Sequence, residues 1–344
     1  MSAIPVGIIG LGHNGLEHLR AHLALGKSEI VALCDRNPAR LAEAGALAPG
    51  AACYAEMDAF FRHPGLEAVS INTGDAFHGA PFLAAMTAGL HVLCEKPLGN
   101  SEAEIRAMAA AVRPGLKIQV GYILRFNPVF ARLHALAREG EFGDIYYLEG
   151  DYIHNLLYQA QQTDAVTGKN WYLDEEIPMV GGGSHPLDLL RWISGKEVTA
   201  VWTYGTHAAY PAMRHDDCQV ALYRFADGSI AKTAALYAPR CGMAPYYNLR
   251  AYGTLGTIER DTMAIAQDAE DVHPPFVPVD SERVTGHGYT PEIEDWLDAI
   301  RDNRTPRCPF ADGANSTLAA LCAVRAAAEG REVAVADVRE WLRM

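Results

Sequence analysis

The stretch Ile4-Pro5-Val6-Gly7-Ile8-Ile9-Gly10-Leu11-Gly12-His13-Asn14-Gly15 decides the fold. Residues 4–9 form a short apolar run, suited to a strand buried on both faces. A GxGxxG motif follows at once, and Leu16, Leu19, Leu23 and Ala24 then recur at helical spacing. This context matters, because a chain with 31 glycines meets GxGxxG by chance in roughly one sequence in four. Glycines in such a turn let a pyrophosphate approach the backbone and rest on the helix N-terminus. Asp35 stands 20 residues beyond Gly15, at the end of the next apolar run, 30–34. A carboxylate there takes the adenosine ribose hydroxyls and repels a 2′-phosphate, which favours NAD. Arg36 beside it leaves NADP open. Gly10, Gly12, His13, Asn14, Asp35 and Arg36 are therefore the expected cofactor contacts in this unit.

Outward from this motif, the chain keeps alternating in type. A helix is predicted over 38–46, with Asn37 as cap and Pro38 at its first position. Strands are expected at 68–72, 91–94 and 117–121, and helices at 78–88 and from Ser101, where Glu104 completes a capping box. Alternation of this kind means a parallel sheet covered on both faces. After residue 122 the pattern changes. A helix fits 128–139, then strand-like runs dominate at 145–153, 198–206, 218–225, 229–237 and 247–253, with Asp227-Gly228 as a hairpin turn. Helices interrupt at about 186–194 and return at 291–302 and 313–329. Residues 267–288, rich in Pro, Asp and Gly, read as a long surface connection. The expected class is α/β: a Rossmann dinucleotide-binding domain over 1–121 and an α+β domain with an open, mostly antiparallel sheet over 122–344.

Length and composition fit this division. At about 150 residues per domain, 344 residues suggest two. The 29 Lys and Arg against 42 Asp and Glu leave a net charge of −13, with no basic block, which argues against nucleic acid and anionic membrane surfaces. No apolar run reaches a membrane span, and the N-terminus lacks the basic region of a signal peptide. The seven cysteines are scattered, odd in number and without CxxC, which favours a reducing compartment and a cytoplasmic location.

Two further motifs carry chemistry. Glu95-Lys96-Pro97 follows the strand at 91–94. Ligands of open α/β sheets bind outside the carboxyl ends of strands, so Lys96 is expected near the nicotinamide end, able to donate to a hydroxyl or carbonyl oxygen and to relay a proton. The Lys96–Pro97 bond is expected trans, since only about one X–Pro bond in twenty is cis. Gly181-Gly182-Gly183-Ser184-His185-Pro186-Leu187-Asp188 is the second motif. Three glycines admit close approach of a ligand. Ser184 and Pro186 mark a helix start, where the dipole keeps His185 neutral and able to take a proton from a substrate hydroxyl. Asp188 shares its helix face. His18 and His22, four apart, have metal-ligand spacing but neither an HExxH nor a third ligand nearby, so no metal site is expected. Tyr146, Tyr147, Tyr152, Tyr158, Trp171 and Tyr172 supply rings for stacking on a sugar face or for packing in strands.

These pieces together resemble the Gfo/Idh/MocA oxidoreductases, named for glucose–fructose oxidoreductase and inositol dehydrogenase. The resemblance runs through 10–15, 34–38, Asn72-Thr73 with His78, 91–98, 120–122 with 125–128, and 185–192, and covers nearly the whole chain. Glu-Lys-Pro after a strand, downstream of the GxGxxG, is its most specific part. It implies NAD or NADP, a sugar, sugar derivative or cyclic polyol as substrate, and a homodimer or homotetramer assembled through the second domain. Lys96 matches the family's catalytic lysine and His185 its histidine. Asn72, Thr73, His78, Glu95 and Lys96 fall among the implied cofactor contacts. Arg125 and His154 fall where some members touch substrate, joined by Lys96, His185 and Trp171.

One departure stands out. Many dehydrogenases of the family carry an aspartate four residues before the histidine, where this chain has Gly181. Asp174, Glu175, Glu176 and Asp188 are the nearby carboxylates open to replace it, and Gly181 opens space that suits a bulkier substrate. The leading expectation is an NAD(P)-dependent sugar or polyol dehydrogenase. The alternative is a redox-neutral glycoside hydrolase acting by transient oxidation and elimination, and a third is a binding protein of the same fold that has lost catalysis.

Overall fold

The structure, a computed structural model, describes residues 3–161, 163, 168, 170–207, 209–239, 246–268, 270–281 and 288–343. The chain begins as a βα alternation: β1 (Ile4–Ile9), α1 (His13–Leu25), β2 (Ser28–Cys34), α2 (Pro38–Leu47), β3 (Ala52–Tyr54), α3 (Met57–Phe60), β4 (Ala68–Ile71), α4 (Gly79–Ala88), β5 (His91–Cys94), α5 (Glu102–Ala111) and β6 (Ile118–Val120). The six strands form one sheet in the order β3-β2-β1-β4-β5-β6. Every pairing is parallel. β1 and β4 are buried almost end to end, as strands covered on both faces must be. The order reverses between β1 and β4, where ligands of such sheets bind. Asn37 caps α2 as expected, its side chain accepting from Ala39 N at 2.9 Å. Only half of the expected capping box forms at α5. Ser101 Oγ accepts from Glu104 N at 3.2 Å, but the Glu104 carboxylate turns to Asn100 N and Gly79 N, at 3.0 and 3.2 Å. It therefore ties the start of α5 to that of α4.

The second part of the chain runs α6 (Pro128–Glu139), β7 (Ile145–Ile153), α7 (Trp171–Asp174), α8 (Pro178–Gly181), α9 (Ser184–Ser194), β8 (Val198–Thr206), β9 (Cys218–Phe225), β10 (Ile230–Leu236), β11 (Tyr246–Gly253), β12 (Gly256–Glu259), β13 (Thr262–Ile265) and β14 (Val277–Pro278). Three helices and a strand complete it: α10 (Tyr289–Arg301), α11 (Phe310–Glu329), β15 (Val333–Ala334) and α12 (Val338–Trp341). The second sheet has nine strands in the order β14-β13-β12-β11-β7-β10-β9-β8-β15. Among the described residues only the β7–β10 pairing of this sheet is parallel, which a long crossover between the two strands permits. Asp227-Gly228 turns β9 into β10 with Gly228 at φ 88°. β9 alternates between buried and exposed residues, so one face of this sheet is packed and the other open.

The expected single boundary after residue 121 is not the whole division. One compact unit comprises Met1–Ile123, His287–Ala314 and Val338–Met344, and the other Leu124–Gly286 and Asn315–Asp337. The chain returns to its first unit because α1 leaves an apolar stripe that only a later helix covers. Ile293, Trp296 and Leu297 of α10 are fully buried in one cluster with Val6, Leu19 and Leu33. Trp296 Nε1 donates to the Lys117 carbonyl at 3.2 Å. Only part of the expected connection 267–288 lies within the described residues. The described cysteines are free, and Cys241 lies outside the described residues. Among the described residues no helix is long and apolar enough to cross a membrane.

Candidate functional site

The candidate residues fall into two groups, one in each unit. In the first, the three motif glycines do three different jobs. Gly10 takes φ 84°, and a Cβ on it would lie 2.5 Å from the backbone of Asn72 and Thr73. A Cβ on Gly15 would overlap the Gly10 carbonyl oxygen, so α1 packs directly on the turn. Gly12 differs: its Cβ would meet nothing nearer than Arg40 Nη1 at 3.9 Å. Gly12 is therefore bare not for packing but for approach from outside. It is also the N-cap of α1, with no side-chain cap and no acidic residue in the first turn, which leaves the positive end of the helix for an anion. Asp35 is fixed by two backbone donors, Leu11 N to Oδ2 and Asn37 N to Oδ1, both at 2.7 Å. Its carboxylate is thus locked one strand away from the glycine turn. These residues fit a dinucleotide. His13 and Arg36 are exposed, and Asn14 is half-buried and accepts from Tyr289 Oη at 3.3 Å.

Lys96, half-buried, follows β5 directly and is anchored through its neighbours. Glu95, expected at the cofactor, faces inward instead. It is 3% exposed, and its Oε1 lies 3.1 Å from His18 Nε2 while Oε2 accepts from Lys96 N at 3.1 Å. Burial alone pushes the Glu95 carboxyl up; the hydrogen bond and charge of His18, with the charges of Lys96 and His78, outweigh it and hold the group below its ordinary value. His18 also reaches Ser70 Oγ at 3.0 Å. His22 turns away to Ser28 Oγ at 2.8 Å, and burial with His18 nearby pushes it down to about 3. The two histidines therefore serve different partners. His78 is likewise fully buried, its ring nitrogens at 2.6 Å from the Pro97 carbonyl and 2.8 Å from the Thr73 carbonyl. It shapes the loops after β4 and β5 instead of offering a group to a ligand. Asn72 Nδ2 donates to Ser70 Oγ at 2.9 Å, and Thr73 Oγ1 donates to the Phe77 carbonyl at 3.0 Å. The Lys96–Pro97 bond is cis, not trans.

Sequence reasoning missed Asp75 in this group. It starts the short turn after β4, and β4 pairs with β5 in a register that sets Ile71 beside Cys94. Desolvation pushes its carboxyl up against the opposing pull of Lys96 and His78. The signal was available, since an acidic residue four positions past one strand end faces a lysine two positions past the next.

In the second unit, the glycine triplet leads through α8 into α9, and His185 sits in the first turn of α9, 6% exposed. The glycines do not hold space for a ligand. A Cβ on Gly181 would overlap Glu176 Oε1, one on Gly182 would overlap the Tyr152 ring, and one on Gly183 would lie 2.7 Å from Met179 Sδ. The room that the sequence suggested for a bulkier substrate is filled by Glu176. His185 lies against an aromatic wall: its ring is 6.2 Å from Tyr152 at 21° and 5.6 Å from Tyr247 at 73°. Tyr152 and Tyr247 are direct cross-strand partners of β7 and β11, which places both rings on one face. His154, the residue just past the end of β7, meets Tyr152 Oη at 3.0 Å through Nδ1 and has Gln159 Nε2 3.3 Å from Nε2. The structure thus brings His154 and His185 to the same tyrosine.

Arg125 does not join them. It is 1% exposed, with Nε and Nη2 donating to Asp188 at 2.7 and 2.8 Å. Asp188 also accepts from Ser316 Oγ at 2.6 Å. Asp188 is therefore spent inside the unit and does not replace a carboxylate at Gly181, while Arg125 is turned away from the role expected of it. Trp171 opens α7, half-buried, with its ring 4.8 Å from Tyr172. Among the described residues no group of three or more His, Cys, Asp or Glu is placed to hold a metal ion.

A glycine turn of this construction, at the strand-order reversal of a parallel sheet, is the mark of a dinucleotide-dependent oxidoreductase. Residues 4–122 match the family model described as oxidoreductase family, NAD-binding Rossmann fold, and residues 130–259 match the GFO/IDH/MocA C-terminal domain. The chain belongs to the Gfo/Idh/MocA oxidoreductase family, and its first domain binds NAD. It is 26% identical to an inositol 2-dehydrogenase of Streptomyces avermitilis, over 96% of this chain and 94% of that one. It is 31% identical to an inositol 2-dehydrogenase of Saccharopolyspora erythraea over 56% of this chain and 54% of that relative. Among solved structures, levoglucosan dehydrogenase in complex with NADH superimposes with a TM-score of 0.86 at 25% identity, covering 98% of this chain and all of that one. An apo scyllo-inositol dehydrogenase from Lactobacillus casei shares the fold, with a TM-score of 0.79 at 23% identity over 97% and 98% of the two chains.

Proposed function

We propose that this protein is an NAD-dependent dehydrogenase that oxidises a ring hydroxyl of a sugar, sugar derivative or cyclic polyol. The observation that carries the reading is the likeness along nearly the whole chain to an inositol 2-dehydrogenase and to levoglucosan dehydrogenase with NADH. These relatives are dehydrogenases by name, and the redox-neutral hydrolase is not carried forward. Gly10, Gly12 and the N-terminus of α1 hold the pyrophosphate and Asp35 the adenosine ribose, with His13, Asn14 and Arg36 alongside. NAD bound there supplies the acceptor for the electron pair leaving the substrate carbon. Lys96 Nζ donates a hydrogen bond to the reacting oxygen. His185 takes the hydroxyl proton at Nε2, its Nδ1 being buried. Tyr152 and His154 line the approach to that imidazole, and Trp171 offers a ring for the sugar face. Nicotinamide reduction over a panel of sugars and polyols tests the reading.

Cofactor choice gives a separate prediction. Asp35→Asn removes the charge that binds ribose hydroxyls and repels a 2′-phosphate, and because its amide nitrogen cannot accept, one of the two backbone bonds from Leu11 and Asn37 is lost with it. Losing charge-assisted hydrogen bonds costs about 1.5–3 kcal/mol, so NAD affinity falls by roughly 10- to 100-fold. NADP affinity rises in the same variant. Titration calorimetry with both nucleotides reads this directly, and an unchanged NAD-to-NADP ratio removes Asp35 from the cofactor site.

We further propose a homodimer or homotetramer assembled on the open face of the nine-stranded sheet. Tyr204, Leu222 and Ile230 stand 73%, 53% and 49% exposed on that face. The register sets Tyr204 beside Val220 and Ile230 beside Arg224, so they form one patch. Arg224 and Lys232 stand beside these residues, so the patch is an apolar row set among cations, and exposed apolar groups gathered in this way mark an interaction surface. Leu222→Arg places an unpaired charge at its centre and yields monomers in size exclusion with light scattering; an unchanged mass rules this face out.

A further inference from the structure

Glu176 lies in the loop between α7 and α8 and is 3% exposed. Its Oε1 accepts from Tyr237 Oη at 2.5 Å. The same carboxyl fills the space above Gly181: a Cβ there would overlap Oε1 and lie 2.7 Å from Cδ and 2.8 Å from Oε2. The next residue repeats the arrangement, since a Cβ on Gly182 would overlap the Tyr152 ring and lie 2.5 Å from Tyr237 Oη. A carboxyl and a phenol are therefore seated on the bare backbone of the turn that delivers His185. Tyr237 is 5.6 Å from Tyr152, and Tyr152 is the ring against which His185 stacks. The phenols of both tyrosines are pushed well up, by burial first and then by charges that include Glu176.

A dehydrated carboxylate is costly unless its surroundings are built for it. Here the surroundings include Gly181, without which the carboxyl does not fit, and Gly182, which makes room for the Tyr237 hydroxyl that donates to it. We propose that Glu176, threaded through the gap at Gly181, is the acidic positioning residue of the His185 site, fixing the Tyr237 hydroxyl and the turn that carries the imidazole. An ionised carboxyl at this position also favours the cation that forms when His185 takes a proton. Side chains at 176 and 181 compete for one volume, so the carboxylate is transferable. Gly181→Asp in a Glu176→Ala background returns it to that volume from the other anchor.

The inference rests on the dehydrogenase reading, and the experiment separates the two. Turnover, NAD binding and melting temperature are measured for the unmodified protein, Glu176→Gln, Glu176→Ala, Gly181→Asp and the Glu176→Ala/Gly181→Asp double variant. Glu176→Gln keeps the shape and removes the charge. Both Glu176 variants lower kcat at least tenfold with NAD affinity unchanged. Gly181→Asp alone lowers the melting temperature and the activity, because its side chain overlaps Glu176. The double variant regains at least fivefold in kcat over Glu176→Ala and melts above Gly181→Asp. Wild-type kcat in Glu176→Gln, or no recovery in the double variant, overturns the inference and leaves the dehydrogenase standing. No turnover by the unmodified protein overturns the dehydrogenase, and the inference with it.

Discussion

Lys96→Ala abolishes measurable nicotinamide reduction while NAD still binds. A positioned proton donor or acceptor contributes about 10²- to 10⁴-fold, and that is the expected fall in kcat. The structure explains why no neighbour takes over. Glu95, the adjacent residue, is committed to His18 Nε2 at 3.1 Å, and its other oxygen holds the Lys96 backbone. His78 is committed to two carbonyls. Lys96→Arg does not rescue the activity, because a planar fork does not replace a compact ammonium at the end of a flexible stem. Steady-state kinetics with calorimetry of NAD binding check this. A Lys96→Ala protein with wild-type kcat shows that the reacting oxygen is held elsewhere.

Asp188→Ala costs about 3–5 kcal/mol of stability, the usual penalty for stranding one partner of a buried ion pair. Both side chains of the Arg125–Asp188 pair are 1% exposed. Asp188 also lies 3.9 Å from the Arg191 guanidinium, but Arg191 keeps Glu197, so the loss falls chiefly on Arg125. Replacing Arg125 and Asp188 together by apolar residues of similar volume costs less than either single change. Denaturant midpoints of the three proteins measure the difference. If Asp188→Ala unfolds at the wild-type midpoint, the pair is not the lock of this unit.

The parts of this molecule that can be read from its sequence are those in which neighbouring residues settle the matter. β1, β2, β4 and β5 are short apolar runs, and each lies within two residues of its expected place. The three-residue edge strand Ala52–Tyr54 has too few side chains to show a period, and the single-turn helices Trp171–Asp174 and Pro178–Gly181 none at all. The 289–301 helix is amphipathic on its face, but its return to α1 depends on contacts across some 275 residues, such as Tyr289 with Asn14. The same limit applies to the site. Gly10, Gly12, Asp35, Lys96 and His185 announce themselves by motif. Arg125 meets Asp188 across 63 residues, and the meeting turns an expected substrate contact into a structural pair. Glu176 is the clearest case. Its place is defined by the side chain that Gly181 lacks, and only coordinates show what occupies that gap.

The most direct test of the account is an assay of the purified protein with NAD and then NADP against free sugars, cyclic polyols and chromogenic glycosides. Reduced-nicotinamide absorbance and released aglycone are recorded in the same wells. The account predicts NADH accumulation with a sugar, sugar derivative or cyclic polyol, a weaker response with NADP, and no aglycone release. Aglycone release that requires NAD but accumulates no NADH would contradict it.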